Sequence, residues 1–177
     1  TGCRVIFLYE YISMRQALVI PRLKKPTLDH NLFKSFRPVS NLSFLSKVIE
    51  RVVASQLGKY LENNGLHHPF QSAYRAHHST ETALTRVHSD IMQALDEKKG
   101  VILVLLDLSA AFDTVDHDIL LHSLQSRFGI SGAVLEWLRT CLSNRFQAVC
   151  VEGVKSSPRA LEFGVPQGSV LGPILFT

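Results

Sequence analysis

The 177-residue chain is 46% apolar and 19% charged, with a formal net charge of +4. These shares suit one globular domain with a sizeable core and exclude a disordered chain. No apolar run nears the roughly 20 residues that span a bilayer. Three cysteines (Cys3, Cys141, Cys150) without CxxC spacing speak against a zinc site or disulfide framework and fit a reducing compartment.

The charge is unevenly spread. Residues 1–65 carry ten Lys/Arg against four Asp/Glu, and residues 66–177 carry nine against eleven. A basic first part before an acid-tipped centre suits a polyanion partner with a metal site beyond it, although ordinary solvated helix faces produce such imbalances too.

Taken in chain order, residues 1–20 show no clear period or turn punctuation. "TGCRVIFLYEYISM" lacks the charged, then apolar, then small-residue order of a secretory signal. Residues 21–40, "PRLKKPTLDHNLFKSFRPVS", hold three prolines and five basic residues and predict extended chain and loop. From about 43 to 63, Phe44, Val48, Val52, Leu57 and Leu61 recur at helical spacing, with Gly65 beyond the last turn. "HHPFQSAYRAHHS" predicts a polar loop. Its adjacent histidines point in different directions and have no cysteine near them, so they are poor zinc ligands. A second helix is expected over about 80–97, with Ala83, Leu84, Val87, Ile91 and Leu95 on one face, Ser79 or Thr80 as cap and Gly100 as stop.

"VILVLLD", residues 101–107, predicts a strand buried on both faces. Further helices are expected over about 117–127 and 133–142. Strands should follow in "RFQAVCVEG" and "SSPRALEFG" around a turn at 153–157. Helices and strands interleave without a strict βαβ rhythm, so the fold class is α+β. The chain stops inside an apolar run, "PILFT", which predicts that the domain continues beyond it.

Three groups of residues carry chemistry. Asp107 ends an apolar run, and a carboxylate there needs a cation or hydrogen bonds. It is either a ligand for a hard cation such as Mg²⁺ or a cap, with Ser109, of a short helix starting at Ala110. Asp113, Asp116 and Asp118 read as first-turn and capping acids of the next helix. Phe112, five positions after Asp107, is a core aromatic or a ring placed under a bound sugar. The second group, "FGVPQGSVLGP", puts three glycines and two prolines in eleven residues. A ligand can approach such a backbone closely, and the Gln167 amide can bond a base or sugar edge. The third is basic: Arg37 suits bidentate phosphate contact, Lys24 or Lys25 supplies a point charge, and Arg75 is available to a backbone phosphate.

Six strings in order, "VIPRLKKP", "FRPVSNLSFLSKVIERVV", "FQSAYRAHHSTETAL", "VLLDLSAAFDTVDHDILLHSL", "WLRTCLSNRFQAV" and "GVPQGSVLGPILF", resemble the reverse transcriptase domain of non-LTR (LINE-like) retrotransposons. The resemblance implies a right-hand polymerase fold over 17–177, with fingers at about 17–98, a partial palm with an incomplete sheet at about 99–177, and an unassigned segment at 1–16. It implies RNA-directed DNA synthesis with two Mg²⁺ ions, on an RNA template, a DNA primer and deoxynucleoside triphosphates, in the cytoplasm or nucleus. Asp107 matches the first catalytic aspartate, with the Leu108 carbonyl as a second metal ligand. Phe112 matches the residue that crowds a 2′-hydroxyl. Arg37, with Lys24 or Lys25, matches the holders of the incoming triphosphate. Gln167 and Gly168 match the loop lining the nucleotide pocket, and Arg75 is expected against template backbone.

The family's Tyr-x-Asp-Asp motif is expected shortly after "GPILF", and no adjacent Asp–Asp pair occurs in this sequence. The 177 residues alone are therefore expected to be inactive and poorly soluble, and a non-catalytic remnant that binds nucleic acid at most is the alternative. A metal hydrolase of the phosphatase kind wants a second acid two positions after Asp107, where Ser109 stands.

Overall fold

The computed structural model describes residues 15–108 and 110–177. The expectations for residues 1–14 and for Ser109 as a cap lie outside them. Among the described residues the fold is mixed α/β, a five-stranded sheet with five α-helices.

Strand β1 (Gln16–Leu23) and strand β2 (Phe36–Asn41) form an antiparallel hairpin. The expected extended chain at 21–40 is thus half strand, and β1 begins earlier than any period in the sequence suggests. The prolines explain why. Pro21 lies opposite Pro38, while β1 pairs with strand β3 (Arg145–Val151) only from Gln16 to Val19. Both prolines therefore sit where no second neighbour asks for their missing N–H. The β1–β3 pairing is parallel. On its other side β3 pairs antiparallel with β4 (Val154–Lys155) and β5 (Arg159–Leu161). The expected turn is there, with Gly153 at φ 85°.

Helix α1 (Phe44–Asn63) is capped by Ser43, whose side chain accepts the Ser46 N–H. Its inward face differs from expectation. Leu57 and Leu61 are buried, but Phe44, Val48 and Val52 are exposed, and Ser46 and Glu50 face inward instead. The 44–48–52 stripe lies about 200° round the helix from 46–50, so the apolar pattern changes face midway. Helix α2 (Thr80–Asp96) starts in a Ser79–Thr82 capping box yet buries no residue, so its expected apolar face is uncovered among the described residues. Helices α3 (His117–Ser126) and α4 (Gly132–Leu142) match their expected bounds within a residue or two, and the short α5 (Gly172–Phe176) follows the glycine-rich loop. Asp116 caps α3, accepting the Asp118 and Ile119 N–H groups at 2.9 and 3.0 Å, and Asp118 sits in the first turn, as expected.

The core gathers Leu57 and Leu61 of α1, Leu121 and Leu124 of α3, Ile130 from the connection that follows, Leu135, Leu138 and Leu142 of α4, and Val165. The expected strand at 101–107 is not formed. Residues 101–108 belong to no regular element and are exposed, Ile102 at 91% and Leu105 at 84%. A strand needs a neighbour to take its backbone groups, and none of the described strands pairs with this run.

Candidate nucleotide site

The glycine-rich loop is held from three sides. Its start lies on the 3₁₀ turn at Ala111–Asp113: the Val165 N–H donates to the Phe112 carbonyl, and the Gly164 N–H to that of Val115, both at 2.7 Å. His117 Nε2 lies 2.7 Å from the Gly164 carbonyl oxygen, which can only accept, so that nitrogen carries the proton. Gly164 has φ +84°, and a Cβ there would fall 2.7 Å from the Phe112 carbonyl oxygen. The middle of the loop is held by β2. The Ser40 N–H donates to the Gln167 carbonyl at 2.8 Å, and Gly168, at φ +108°, approaches so closely that a Cβ would lie 2.9 Å from the Ser40 carbonyl oxygen. Both glycines are therefore required by backbone geometry and close approach together. Its end is held by Glu50 of α1, whose carboxylate accepts the Val170 and Leu171 N–H groups.

This arrangement leaves an open cleft of about 510 Å³ bordered by Pro38 and Ser40 of β2, Asp113, Gln147 of β3 and Gln167. The Gln167 side-chain amide donates to the Asp113 carboxylate at 3.4 Å. Asp113 thus faces the loop and takes no part in capping α3, contrary to expectation. Gln167 borders this cleft, Gly168 follows it against the Ser40 carbonyl, and Arg37 is exposed on β2 next to the cleft residue Pro38.

Other expected site residues lie apart. The Phe112 ring is half-buried and rests tilted on Phe176, with 5.2 Å between ring centroids, and it does not line the cleft. Lys24 and Lys25 are exposed just past β1. The Arg75 guanidinium lies 3.7 Å from the Glu62 carboxylate at the end of α1. An ion pair so near the surface contributes at most about 1 kcal/mol, too little to keep Arg75 from a phosphate. Asp107 and Leu108 are exposed in the run without regular structure. Ala110, just beyond, adopts φ 54°, a left-handed conformation that costs an alanine about 1 kcal/mol. Among the described residues no group of three or more His, Cys, Asp or Glu side chains is gathered to hold a metal ion.

Two further residues escaped the sequence reading. Arg22 of β1 lies directly opposite Arg37 of β2. Like charges opposite each other in an antiparallel pair are unfavourable, so this end of the hairpin favours an anion. Only the pairing register shows it. The other is Glu50, one of four acids in a basic stretch, which helical periodicity alone gave no reason to bury. Beneath the loop a second cavity of about 290 Å³ is lined by Glu50, Arg145, Cys141 and Trp137 among others. Burial pushes the Cys141 thiol up to about 11, partly offset by Arg145, and burial pushes the Arg145 guanidinium down. A neutral, buried thiol is inert at ordinary pH.

Residues 23–177 match the family described as reverse transcriptase (RNA-dependent DNA polymerase), and the chain belongs to that family. It is 35% identical over 174 residues to the probable RNA-directed DNA polymerase from transposon BS of Drosophila melanogaster, a match covering 98% of this chain and 19% of that protein. It is 34% identical over 143 residues to the RNA-directed DNA polymerase from mobile element jockey of Drosophila funebris, covering 81% of this chain and 15% of that one. A Pol polyprotein from the type-1 retrotransposable element R2 of Popillia japonica is 29% identical over 143 residues, 80% of this chain and 19% of its own length. The chain thus spans about a fifth or less of these relatives, which are retrotransposon polymerases of the kind the six ordered strings resemble. Among the described residues no helix is long and apolar enough to cross a membrane.

Proposed function

We propose that this chain is the fingers and partial palm of a right-hand polymerase, the part of an RNA-directed DNA polymerase that receives the incoming deoxynucleoside triphosphate. The observation that carries the reading is the cleft beside the glycine-rich loop, which gathers β2, Asp113 and Gln167 at one place. Arg37 and Arg22, opposed across the hairpin and alternating with the cleft-facing residues, give its end the positive charge that draws the triphosphate, with Lys24 or Lys25 next along the chain. The Gln167 amide and the backbone at Gly168 face base and sugar, while the Phe112 ring, packed on Phe176 outside the cleft, supports Asp113 from behind. Arg75 contacts template backbone, with an RNA template and a DNA primer as the nucleic-acid partners.

Asp107 and the Leu108 carbonyl offer the oxygen ligands that Mg²⁺ takes. When bound, the metal neutralises triphosphate charge. The donor chemistry fits, but a pair of ions needs more carboxylates than these residues bring together. A second reading for the 177 residues taken alone is a segment that binds nucleotide or nucleic acid without catalysing transfer, supported by the lack of an adjacent Asp–Asp pair in this sequence.

Equilibrium binding of dTTP in Mg²⁺ buffer tests the proposal. The chain binds, and Arg37→Ala weakens binding about tenfold, as loss of a charge-assisted contact does; unchanged affinity removes the triphosphate role. In primer extension on an RNA template, the 177 residues show no Mg²⁺-dependent incorporation. Incorporation would overturn the non-catalytic reading.

A further inference from the structure

Glu50 stands on the inward face of α1, 7% exposed, where an apolar residue would serve packing better. Its carboxylate is fully engaged. One oxygen accepts the Val170 N–H at 2.6 Å and the Leu171 N–H at 3.2 Å, and the other accepts the Ser46 hydroxyl at 3.3 Å. Bonds from N–H groups to a buried carboxylate are among the strong ones, and their loss leaves two donors without a partner. On the other side of Gly168, the Ser40 N–H holds the Gln167 carbonyl. The loop is thus clamped by β2 at Gln167 and by α1 at Val170 and Leu171, three and four residues further on.

We propose that Glu50 is the positioning residue of the nucleotide pocket: its carboxylate fixes the turn at Val170 and Leu171 and thereby sets where the Gln167 amide stands. This rests on the reading of the Gln167 loop as part of that pocket. Glutamine can replace the clamp, because its amide oxygen accepts both N–H groups while its NH₂ donates to the Ser46 hydroxyl. Alanine cannot.

Amide hydrogen exchange and nucleotide binding on this chain test the proposal together. Glu50→Ala accelerates exchange in peptides covering 163–172 by about tenfold, leaves β1 and α3 protected, and weakens dTTP binding while tripolyphosphate binding stays unchanged. Glu50→Gln restores both the slow exchange and the dTTP affinity. Unchanged exchange at 163–172 in Glu50→Ala overturns the proposal. So does equal weakening of dTTP and tripolyphosphate, or a Glu50→Gln protein that behaves like the alanine variant. Gln167→Ala separates the two readings. If it binds dTTP like the parent, the loop is not the nucleotide pocket, and exchange at 163–172 in the Glu50 variants still decides whether the carboxylate holds the loop.

Discussion

At the scale of single residues, Gly164 bears the tightest constraint. A methyl group there meets the Phe112 carbonyl oxygen at 2.7 Å and Asp113 Cα at 2.9 Å, both backbone atoms that cannot swing away, and its φ of +84° adds left-handed strain. Gly164→Ala is expected to cost more than about 2 kcal/mol in urea unfolding. Gly58, inside α1 with nothing within 4 Å of a Cβ, serves as the contrast: Gly58→Ala should stabilise by about 0.5–1 kcal/mol. Equal effects at the two sites would refute the close-approach account. Residue type and local punctuation were enough to single out candidates, of which Gln167 borders the cleft. Gln167 stood out between a proline and a glycine, and Arg37 for a guanidinium suited to bidentate phosphate contact in a basic stretch. Glu50, Asp113 and Arg22 were not legible. Glu50 depends on a contact 120 positions away, Asp113 on the return of the glycine-rich loop, and Arg22 on a strand register.

At the scale of elements, stability concentrates where helices meet. Leu138 of α4 is 1% exposed at the centre of the α1–α3–α4 cluster, whereas Leu84 of α2 is 63% exposed. Leu138→Ala should lower unfolding free energy by about 2–5 kcal/mol, and Leu84→Ala should change it by less than about 0.5 kcal/mol. A comparable loss at Leu84 in chemical denaturation would show α2 to be packed. Helix positions followed from periodicity and caps, because both are local. Which face turns inward did not always follow: in α1 the satisfied Ser46–Glu50 pair won over the Phe44–Val48–Val52 stripe. The strand at 101–107 failed for a related reason, since composition states a preference for burial but provides no neighbouring strand.

At the scale of the whole molecule, the run at 101–108 and much of the apolar face of α2 are exposed among the described residues. An exposed run of six apolar residues, Val101–Leu106, is the kind of surface that drives self-association. Replacing Ile102 and Leu105 by Lys should increase the monomer fraction in size-exclusion chromatography and leave the melting temperature unchanged, because neither side chain is buried. A melting temperature several degrees lower would mean that the run is packed in solution.

The parallel pairing of β1 with β3 has a consequence for the order of events in synthesis. Leu18 lies opposite Ala148, 130 positions later. The hairpin of β1 and β2 can close as soon as it leaves the ribosome, but its parallel neighbour arrives only with residues 146–149. Closing so long a loop costs little more than a medium one, since each doubling adds only about 0.6 kcal/mol. The penalty falls on speed, because contacts so distant in sequence form late. During that delay one edge of the hairpin stays open to any other extended chain nearby.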